Sequence, residues 1–158
     1  MVEVQRTDAD APDAHMLLAE YFEDRTIGFA AQDQVYTPVF PARATFTPPA
    51  GAFVVLRDDE GQARGCGGIR RIADGERGVR YEVKHLYLRP DTRGRGWGRL
   101  MLEDLERRAR EWDARELVLD THHSLEAAAG LYRTSGFVET ERFNENSNAT
   151  RWYSKALD

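Results

Sequence analysis

Residues 81–102 read YEVKHLYLRPDTRGRGWGRLML, and this stretch joins an apolar strand to a helix through a turn of glycine and arginine. Leu86, Tyr87 and Leu88 have the bulk and the β propensity of a buried strand. Pro90 ends the strand, because proline has no backbone N–H to donate to a β-ladder. A strand that stops at an arginine-rich turn before a helix predicts an anion-binding site.

The turn has the composition of a phosphate-binding loop. Gly94, Gly96 and Gly98 precede Leu100, an apolar position of the following helix. Glycine permits positive φ and a close backbone approach, so several N–H groups can converge on one point at the helix N-terminus. The G-x-G-x-G spacing differs from the G-x-x-x-x-G-K-S/T and G-x-G-x-x-G loops. The alternatives are a solvated turn with incidental arginines and a fragment of an RNA-binding tail.

Length and composition predict one globular domain that spans residues 1–158. The chain is 41% hydrophobic and 31% charged, which is near the globular average. No stretch approaches the ~18 consecutive apolar residues of a membrane span, and the first ten residues lack the basic and then apolar pattern of a signal peptide. We therefore expect a cytoplasmic protein with no membrane partner.

Charge and cysteine content argue against several other functions. The net charge of −5 disfavours a nucleic-acid partner, since such binding needs a basic face that neutralises phosphates. Arg89, Arg93, Arg95 and Arg99 nevertheless crowd the glycine turn, which suits a compact polyanionic ligand. Cys66 is the only cysteine, so an internal disulfide and a thiolate metal cluster are excluded; we interpret it as a small buried hydrophobe.

Periodicity and turn residues divide the chain into alternating strands and helices. The segment Thr26–Pro49 fits neither pattern, and we interpret it as a second short helix with a substrate-side loop, or alternatively as a loosely packed connector. Gly65, Gly67 and Gly68 indicate a bulge or a close backbone approach. The predicted elements are a strand near Val2–Val4, a helix from about Pro12 to Asp24, strands at Gly51–Arg57, Ala63–Ile72 and Val79–Leu88, a helix at Gly98–Trp112, a strand at Glu116–Asp120, a helix capped by Ser124 and ending at Gly136, and a closing pair at Phe137–Thr140 and Ala149–Leu157.

The fourth and fifth strands are expected to form a β-α-β unit. Because the helix Gly98–Trp112 separates them, they should pair in parallel through a right-handed crossover. The strands between Gly51 and Leu88 follow each other through short turns and should form an antiparallel meander. The predicted sheet is therefore mixed.

Two short motifs and the order of the elements resemble the GNAT family of N-acetyltransferases. Arg93, Gly96 and Gly98 match the family's R/Q-x-x-G-x-G/A signature, and residues 131–137 (LYRTSGF) match its L-Y-x-x-x-G-F motif. The resemblance covers nearly the whole chain and is firmest over residues 82–137. It implies an α/β (α+β) fold with a mixed, mostly antiparallel sheet of about six or seven strands, a central β-α-β unit, a splay between the two middle strands, and about four helices.

The resemblance implies acetyl-coenzyme A (acetyl-CoA) as cosubstrate, because in that family the glycine turn holds its pyrophosphate. It also implies that Leu86 and Leu88 offer unpaired backbone groups to the pantetheine arm. One N–H near Leu86 or Tyr87 would polarise the thioester carbonyl in an oxyanion-hole role. The cofactor-binding residues implied in this way are Leu86, Tyr87, Leu88, Arg93, Gly94, Arg95, Gly96, Trp97, Gly98 and Arg99.

The resemblance also implies two catalytic residues. Glu82 lies four residues before Leu86 and matches the position of a glutamate base, which would remove the proton of an amine that is protonated at neutral pH. Its alternative is a solvent-facing position paired with Lys84 or a cross-strand arginine. Tyr132 matches the tyrosine that protonates the leaving thiolate, and its alternative is an aromatic side chain that fills a gap between helix and sheet.

Two segments without motifs are expected to shape the acceptor pocket. Tyr36 and Phe40 would contribute from the irregular segment. Asn144, Asn146 and Asn148 would contribute from the closing hairpin, although asparagine is also common in turns.

The histidines of the chain do not predict a metal site. His122 and His123 stand where relatives often carry a cofactor-contacting asparagine, which puts that contact in doubt. Adjacent histidines on a strand point apart, and no set of carboxylates and cysteine completes a site around them. We therefore expect no metal, and we interpret His85 as structural.

These features together predict an enzyme that passes the acetyl group of acetyl-CoA to a primary amine by direct attack in a ternary complex. Cys66 is the only conceivable acyl-carrying nucleophile. The expected acceptor is a small molecule or an amino-acid-like metabolite, with a protein N-terminus or lysine as the alternative, and the expected state is a monomer or a homodimer. A non-catalytic acetyl-CoA-binding protein and an RNA-binding module are the alternatives from other classes.

Overall fold

The computed structural model describes residues 1–123 and 125–158, so the predicted helix cap at Ser124 lies outside the described residues. Strands and helices follow one another in the predicted order, with single 3₁₀ turns at Ala44–Phe46 and Pro90–Thr92. The elements are β1 (Glu3–Thr7), α1 (Pro12–Ala30), β2 (Gly51–Arg57), β3 (Ala63–Gly75), β4 (Gly78–Leu88), α2 (Trp97–Glu111), β5 (Glu116–Thr121), α3 (Glu126–Thr134), β6 (Val138–Thr140) and β7 (Arg151–Ala156).

In the described part of the chain, one seven-stranded sheet runs in the order β1-β2-β3-β4-β5-β7-β6. β4 and β5 pair in parallel, and the other neighbouring strands pair antiparallel. The parallel pair is joined through α2, as a β-α-β unit requires. The predicted mixed, mostly antiparallel sheet is confirmed.

The described residues contain three α-helices rather than about four. α1 continues to Ala30, past its expected end near Asp24, and the only helical structure before β2 is then the 3₁₀ turn Ala44–Phe46. Pro38 and Pro41 lie in this segment, and proline lacks the N–H that an α-helix needs. The segment is therefore irregular where a second short helix was expected. None of the three described helices combines the length and the apolar character needed to cross a membrane.

β4 and β5 are paired at one end and separate at the other. Pairing is confined, among the described residues, to positions 80–82 of β4 and 116–118 of β5. On the opposite side of β4 the register with β3 shifts between Cys66 and Gly68, and His85 has a φ of 60°. A bulge bends its strand and increases the local twist, which accounts for the departure of β4 from β5. The predicted splay is present.

Hydrophobic side chains pack on both faces of the sheet. Val54 belongs to a cluster that includes Leu105 of α2, whereas its neighbour Phe53 belongs to a cluster that includes Leu17 of α1. Successive residues of a strand point to opposite faces, so α1 and α2 cover different faces of the sheet. The splay therefore lies between two packed layers.

Gly51 begins β2 at a position with no room for a side chain. A Cβ atom there would lie 2.3 Å from the carbonyl oxygen of Ile69 and 2.5 Å from that of Thr45. Because the backbone cannot move aside easily, we expect Gly51→Ala to lower the free energy of unfolding by about 1–3 kcal/mol. A Cβ at Gly28, in α1, would meet nothing within 4 Å, so Gly28→Ala should instead raise it by up to about 1 kcal/mol. Urea unfolding of both variants measures the difference, and equal stabilities would contradict this account.

Candidate active site

A cavity of about 600 Å³ opens where β4 and β5 separate. α1, the irregular segment after it, the diverging ends of β4 and β5, α3 and the loop after β6 contribute to its wall. A volume of this size is typical of small-molecule sites. The side chains that line it include Tyr21, Arg25, Tyr36, Phe40, Arg70, Lys84, His85, Leu86, Asp120, Tyr132, Asn144, Asn146 and Asn148.

The cavity brings together predicted residues that are far apart in the chain. All five predicted acceptor-site residues line it together with Tyr132 and Leu86; they are Tyr36, Phe40, Asn144, Asn146 and Asn148. Glu82 does not line it, but its carboxylate contacts three side chains that do, those of Arg70, Lys84 and Asn144. Residues 93–99 of the glycine turn also lie outside the cavity wall.

Glu82 is buried in β4, with only 1% of its side chain exposed, and both of its carboxylate oxygens have partners. Arg70, its antiparallel partner on β3, donates from Nε and Nη2 to Oε1 at 2.9 and 2.8 Å. The other oxygen lies 3.7 Å from Lys84 Nζ and accepts from Asn144 Nδ2 at 3.3 Å. Two side-chain nitrogens of one arginine on one carboxylate hold it in a defined orientation. The cross-strand arginine and the lysine considered as alternatives for Glu82 are thus both present.

Asp120 extends this network to the cavity from β5. Its Oδ1 lies 3.3 Å from Lys84 Nζ, and its Oδ2 accepts from Asn144 Nδ2 at 2.6 Å. Glu82 and Asp120 are therefore bridged by one lysine and one asparagine, and with Arg70 the cluster contains two carboxylates and two cations. Asp120 was not predicted from the sequence as a site residue. The available signal was a carboxylate at the carboxyl end of a buried parallel strand, where α/β sheets place their ligands.

Tyr132 lies on α3 and faces the cavity from the side opposite α1. It is 7% exposed, and its ring packs near those of Phe137 and Tyr153 at 6.0 Å between centroids. Burial raises the pKa of the phenol, and the neighbouring Tyr21 and Asp120 raise it further. Tyr132 therefore stays protonated at neutral and mildly alkaline pH, as a proton donor must.

The glycine turn has the backbone conformation that an anion site requires. Gly94 and Gly96 have φ values of 81° and 79°, and a Cβ at either would meet nothing within 4 Å, so the space above the turn is free of protein atoms. A Cβ at Gly98 would lie 2.9 Å from a methyl carbon of Leu131, so glycine lets α2 approach α3 closely. Gly96 is the N-cap of α2, whose first N–H groups have no partner within the helix. These features fit a pyrophosphate.

The arginines around the turn are not equivalent. Arg89 donates from Nε and Nη2 to Glu20 of α1 at 3.0 and 2.8 Å, so it ties β4 to α1. Arg95 lies over the ring of Trp97, with 5.2 Å from Cζ to the centroid. Arg99 donates to the carbonyl oxygen of Thr134 at 3.3 Å. Of the four arginines expected to attract a polyanion, Arg89 already has a carboxylate partner.

Two of the predicted acceptor residues also organise the loop that carries them. Asn144 donates to both network carboxylates, and its Oδ1 accepts from Trp152 Nε1 at 3.0 Å. Asn146 accepts from the backbone N–H of Asn148 at 3.0 Å, which closes a local turn. Asn146 therefore lines the cavity and also stabilises a turn, as asparagine commonly does.

His85 is a cavity residue that the sequence analysis interpreted as structural. Its positive φ is uncommon for a residue other than glycine, and its ring lies 5.8 Å from Phe22 and 5.9 Å from Phe46 between centroids. Burial lowers its pKa to about 3, and the charges of Lys84 and Arg70 act in the same direction. The imidazole is therefore neutral at pH 7 and can offer a hydrogen bond but no charge.

The lowered pKa of His85 predicts a loss of stability in acid. Below about pH 6.5 the unfolded chain binds a proton at this residue and the folded chain does not, so stability falls as pH falls towards about 3. Between pH 7 and pH 5 we expect the wild type to lose about 1–2 kcal/mol more than His85→Asn, since asparagine tolerates positive φ but does not titrate. His15 lies on the exposed side of α1, and His15→Asn should lose as much stability between these pH values as the wild type. Urea unfolding at both pH values checks this, and parallel losses in all three proteins would refute it.

The other candidate groups show no sign of separate chemistry. His122 is buried, stacks on His123 with centroids 4.3 Å apart, and shares a hydrogen bond of 2.9 Å with Gln34 through Nε2. Cys66 is buried, and burial raises the pKa of its thiol, which disfavours the nucleophilic thiolate. Across residues 1–123 and 125–158, no three His, Cys, Asp or Glu side chains are grouped so that they could hold a metal ion.

Comparison with known proteins gives the same fold and a family. Residues 5–137 match the model of the acetyltransferase (GNAT) family. An uncharacterized N-acetyltransferase of Schizosaccharomyces pombe is 32% identical over 137 residues, which cover 87% of this chain and 82% of that protein.

Two solved structures share the fold at low sequence identity. One is a GNAT family acetyltransferase from Elizabethkingia anophelis with acetyl-CoA bound, with a TM-score of 0.65, 16% identity, and coverage of 99% of this chain and 98% of that one. The other is the PaiA N-acetyltransferase from Thermoplasma acidophilum in complex with coenzyme A, with a TM-score of 0.73, 14% identity and 99% coverage of both chains.

The matching family model and the N-acetyltransferase relative define the class of this protein as an acyltransferase that uses acetyl-CoA. The match over residues 5–137 and the Schizosaccharomyces pombe relative show that this chain belongs to the GNAT family of N-acetyltransferases.

Proposed function

We propose that residues 1–158 form a single catalytic domain that acetylates the primary amine of a small molecule bound in the 600 Å³ cavity. One observation supports this most strongly. Tyr132 and Asp120 both line the cavity where β4 and β5 part, and Asn144 joins Asp120 to the buried Glu82, so that a proposed proton donor and proposed proton acceptors would serve one cavity. General acid and general base groups around one concave site are what amine acylation requires.

The residues proposed to hold acetyl-CoA lie along the second half of β4 and the turn after it. Backbone N–H groups of residues 94–98 would bind the pyrophosphate at the start of α2. Backbone groups of Leu86, Tyr87 and Leu88 on the side facing β5, which lack a strand partner beyond residue 82, would bind the pantetheine arm. Arg93, Arg95 and Arg99 would add positive charge. When bound, the thioester supplies the activated acetyl carbon.

The chain's own residues then carry protons to and from the reacting groups. A C–N bond forms as the C–S bond breaks. The amine, which is protonated at neutral pH, loses one proton before it attacks and one as the amide forms, the departing sulfur gains one, and one proton is released to the solvent. Asp120, which faces the cavity, and Glu82, which is joined to it through Asn144 and Lys84, would accept the protons of the amine. Tyr132 would donate its phenolic proton to the sulfur and recover one from the solvent, so that the cycle is balanced. A backbone N–H near Leu86 would stabilise the negative charge that develops on the carbonyl oxygen.

A small acceptor fits this cavity better than a protein segment does. The irregular segment after α1 contributes to the cavity wall, and its Phe40 packs edge-on against Phe22 of α1 with centroids 4.9 Å apart. The cavity has the volume that small-molecule ligands occupy. A peptide N-terminus or lysine is the alternative acceptor.

The test is a thiol-release assay with acetyl-CoA over a panel of amines, amino acids and short peptides. We expect acetylation of at least one small amine, with mass spectrometry showing an added acetyl group on the amine nitrogen. Peptides acetylated in preference to every small amine would replace the small-molecule acceptor with the protein alternative. Hydrolysis of acetyl-CoA without any acetylated amine would overturn the proposal.

Phe40→Ala should weaken acceptor binding alone. Phe40 is 46% exposed, so its loss costs the fold little, but it lines the cavity. Removing an apolar contact of this size should raise the KM for the amine about 10-fold and leave the affinity for coenzyme A unchanged. Val35→Ala is the control, because Val35 lies in the same segment, is 87% exposed and does not line the cavity. Equal losses for amine and coenzyme A would show that Phe40 only supports the fold.

A further inference from the structure

Arg25 of α1 is a buried cation on the cavity wall. It is 6% exposed, it lines the cavity, and its Nε has no hydrogen-bond partner among the described residues. A guanidinium cannot shed its charge by losing a proton in this environment. A buried charge without a countercharge is unfavourable, so a binding role would account for its retention.

The carboxylates nearest the cavity are already paired with other cations. Asp120 pairs with Lys84, Glu82 pairs with Arg70, and Glu20 pairs with Arg89. In residues 1–123 and 125–158 none of them forms an ion pair with Arg25. The two carboxylates and two cations of the network balance each other, and Arg25 therefore adds one uncompensated positive charge to the cavity.

Two aromatic rings hold the guanidinium in place without neutralising it. Its Cζ lies 4.7 Å from the ring centroid of Phe29 and 5.4 Å from that of Tyr36. Cation–π contacts of this kind orient a guanidinium. The hydroxyls of Tyr21 and Tyr36 are hydrogen-bond partners of Arg25, and its Nε has no partner among the described residues. Burial raises the pKa values of Tyr21 and Tyr36, so both neighbouring phenols are uncharged at neutral pH.

Arg25 and the proposed proton donor Tyr132 line the same cavity from opposite sides. Burial raises the pKa of Tyr132 and of Tyr21, and in both cases the charge of Arg25 opposes that rise. A small molecule bound in this cavity would therefore lie between Arg25 and Tyr132.

We propose that the acceptor carries a carboxylate as well as an amine, and that Arg25 binds this carboxylate. The inference rests on the proposed function, because it concerns the substrate of the same cavity. A planar guanidinium matches a carboxylate through two parallel hydrogen bonds. With the carboxylate at α1, the amine would extend towards Asp120 and Tyr132. The substrate class is therefore an amino acid or another amine that bears a carboxylate.

The first experiment compares amino acids with their own amides in the wild-type enzyme. Each amide keeps the amine and the side chain but removes the negative charge. We expect kcat/KM to be at least about 10-fold higher for the preferred amino acid than for its amide, which is the usual scale of a hydrogen bond to a charged group. Acetylation of amines with no preference for the acid over the amide would overturn the inference and leave the proposed function intact.

Variants of Arg25 then assign the preference to this residue. Arg25→Gln should reduce the ratio of kcat/KM for the amino acid to kcat/KM for its amide to about 1. Arg25→Lys should give an intermediate ratio, since lysine keeps the charge but cannot form two parallel hydrogen bonds with a carboxylate. Arg77→Gln, on the exposed β3–β4 turn, is the matched control and should keep the wild-type ratio. An unchanged ratio in folded Arg25→Gln would overturn the inference.

A binding measurement tests whether Arg25 binds a carboxylate without depending on turnover. Calorimetric titration compares N-acetyl amino acids with N-acetyl amino acid amides in the wild type and in Arg25→Gln. Tighter binding of the acid by about 10-fold in the wild type, lost in the variant, supports a carboxylate site. Equal binding of acid and amide by the wild type contradicts it. If no amine is acetylated at all, the proposed function fails, and this titration still tests the role of Arg25.

Discussion

Gly96→Asp is expected to abolish coenzyme A binding while the protein remains folded. Gly96 has a φ of 79° at the start of α2, and the space above it is open. An aspartate there would place a negative charge about 4 Å from the pyrophosphate, a repulsion of about 4 kcal/mol or about 1000-fold in affinity at an effective dielectric constant near 20. It would also occupy the space into which the N–H groups of the turn converge.

Gly61→Asp is the matched control for this substitution. Gly61 has the same φ of 79°, a Cβ there would also meet nothing within 4 Å, and it lies in the turn between β2 and β3. Both variants therefore carry the same backbone strain, which aspartate tolerates better than most residues. Calorimetric titration with coenzyme A should show wild-type affinity for Gly61→Asp and none for Gly96→Asp. Unchanged affinity in folded Gly96→Asp would exclude the turn as the pyrophosphate site.

Tyr132→Phe and Glu82→Gln should each lower kcat by about 100-fold near pH 7, the lower end of the usual contribution of general acids and bases. Their pH profiles should differ. Above about pH 10 an alkyl amine is already neutral, so the deficit of Glu82→Gln should shrink as pH rises. Alkaline solvent does not supply the missing acid, so the deficit of Tyr132→Phe should persist. Because burial raises the pKa of Tyr132 above its ordinary value, the wild type should keep its proton donor over this range.

Control variants separate these roles from structural effects. Tyr153→Phe removes a buried hydroxyl from a ring 6.0 Å from Tyr132, at a residue that does not line the cavity, and should keep the wild-type kcat. Glu82→Gln also unbalances the network with Arg70 and Lys84, and a purely structural loss would not recover at high pH. Parallel profiles for the Tyr132 and Glu82 variants would contradict the assigned roles. If kcat recovered at high pH in Asp120→Asn but not in Glu82→Gln, the base would be Asp120.

Local signals were sufficient to predict the order of the elements. The bounds of β2 agree with the prediction at both ends, and those of β4 and α2 agree within one residue. These elements have regular hydrophobic periods. They end at residues such as Pro90, which stops a strand through its own lack of a backbone N–H and not through distant contacts. The irregular segment after α1 was predicted less well. Its aromatic side chains pack against α1, and periodicity does not encode a contact of that kind.

The candidate site was predictable only in part. Tyr36, Phe40, Asn144 and Asn146 were expected near one pocket and do line one cavity. Asp120 was not predicted, although its place at the carboxyl end of a buried parallel strand is a signal for a ligand site. Arg25 had none, because an arginine within an amphipathic helix ordinarily belongs to the solvated face.

By itself, the sequence determined the strand, turn and helix of residues 81–102, since positive φ at glycine, the stop at Pro90 and the apolar period of α2 are properties of the local chain. Only the tertiary structure decided which charged side chains contact each other. Asn144 joins Glu82 to Asp120 across separations of 62 and 24 residues, and Arg89 pairs with Glu20 across 69 residues. Arg25 is left without a countercharge only because the carboxylates around it are paired elsewhere. Pairing at that range depends on the order and register of the strands, which follow from packing the whole sheet and not from any one segment.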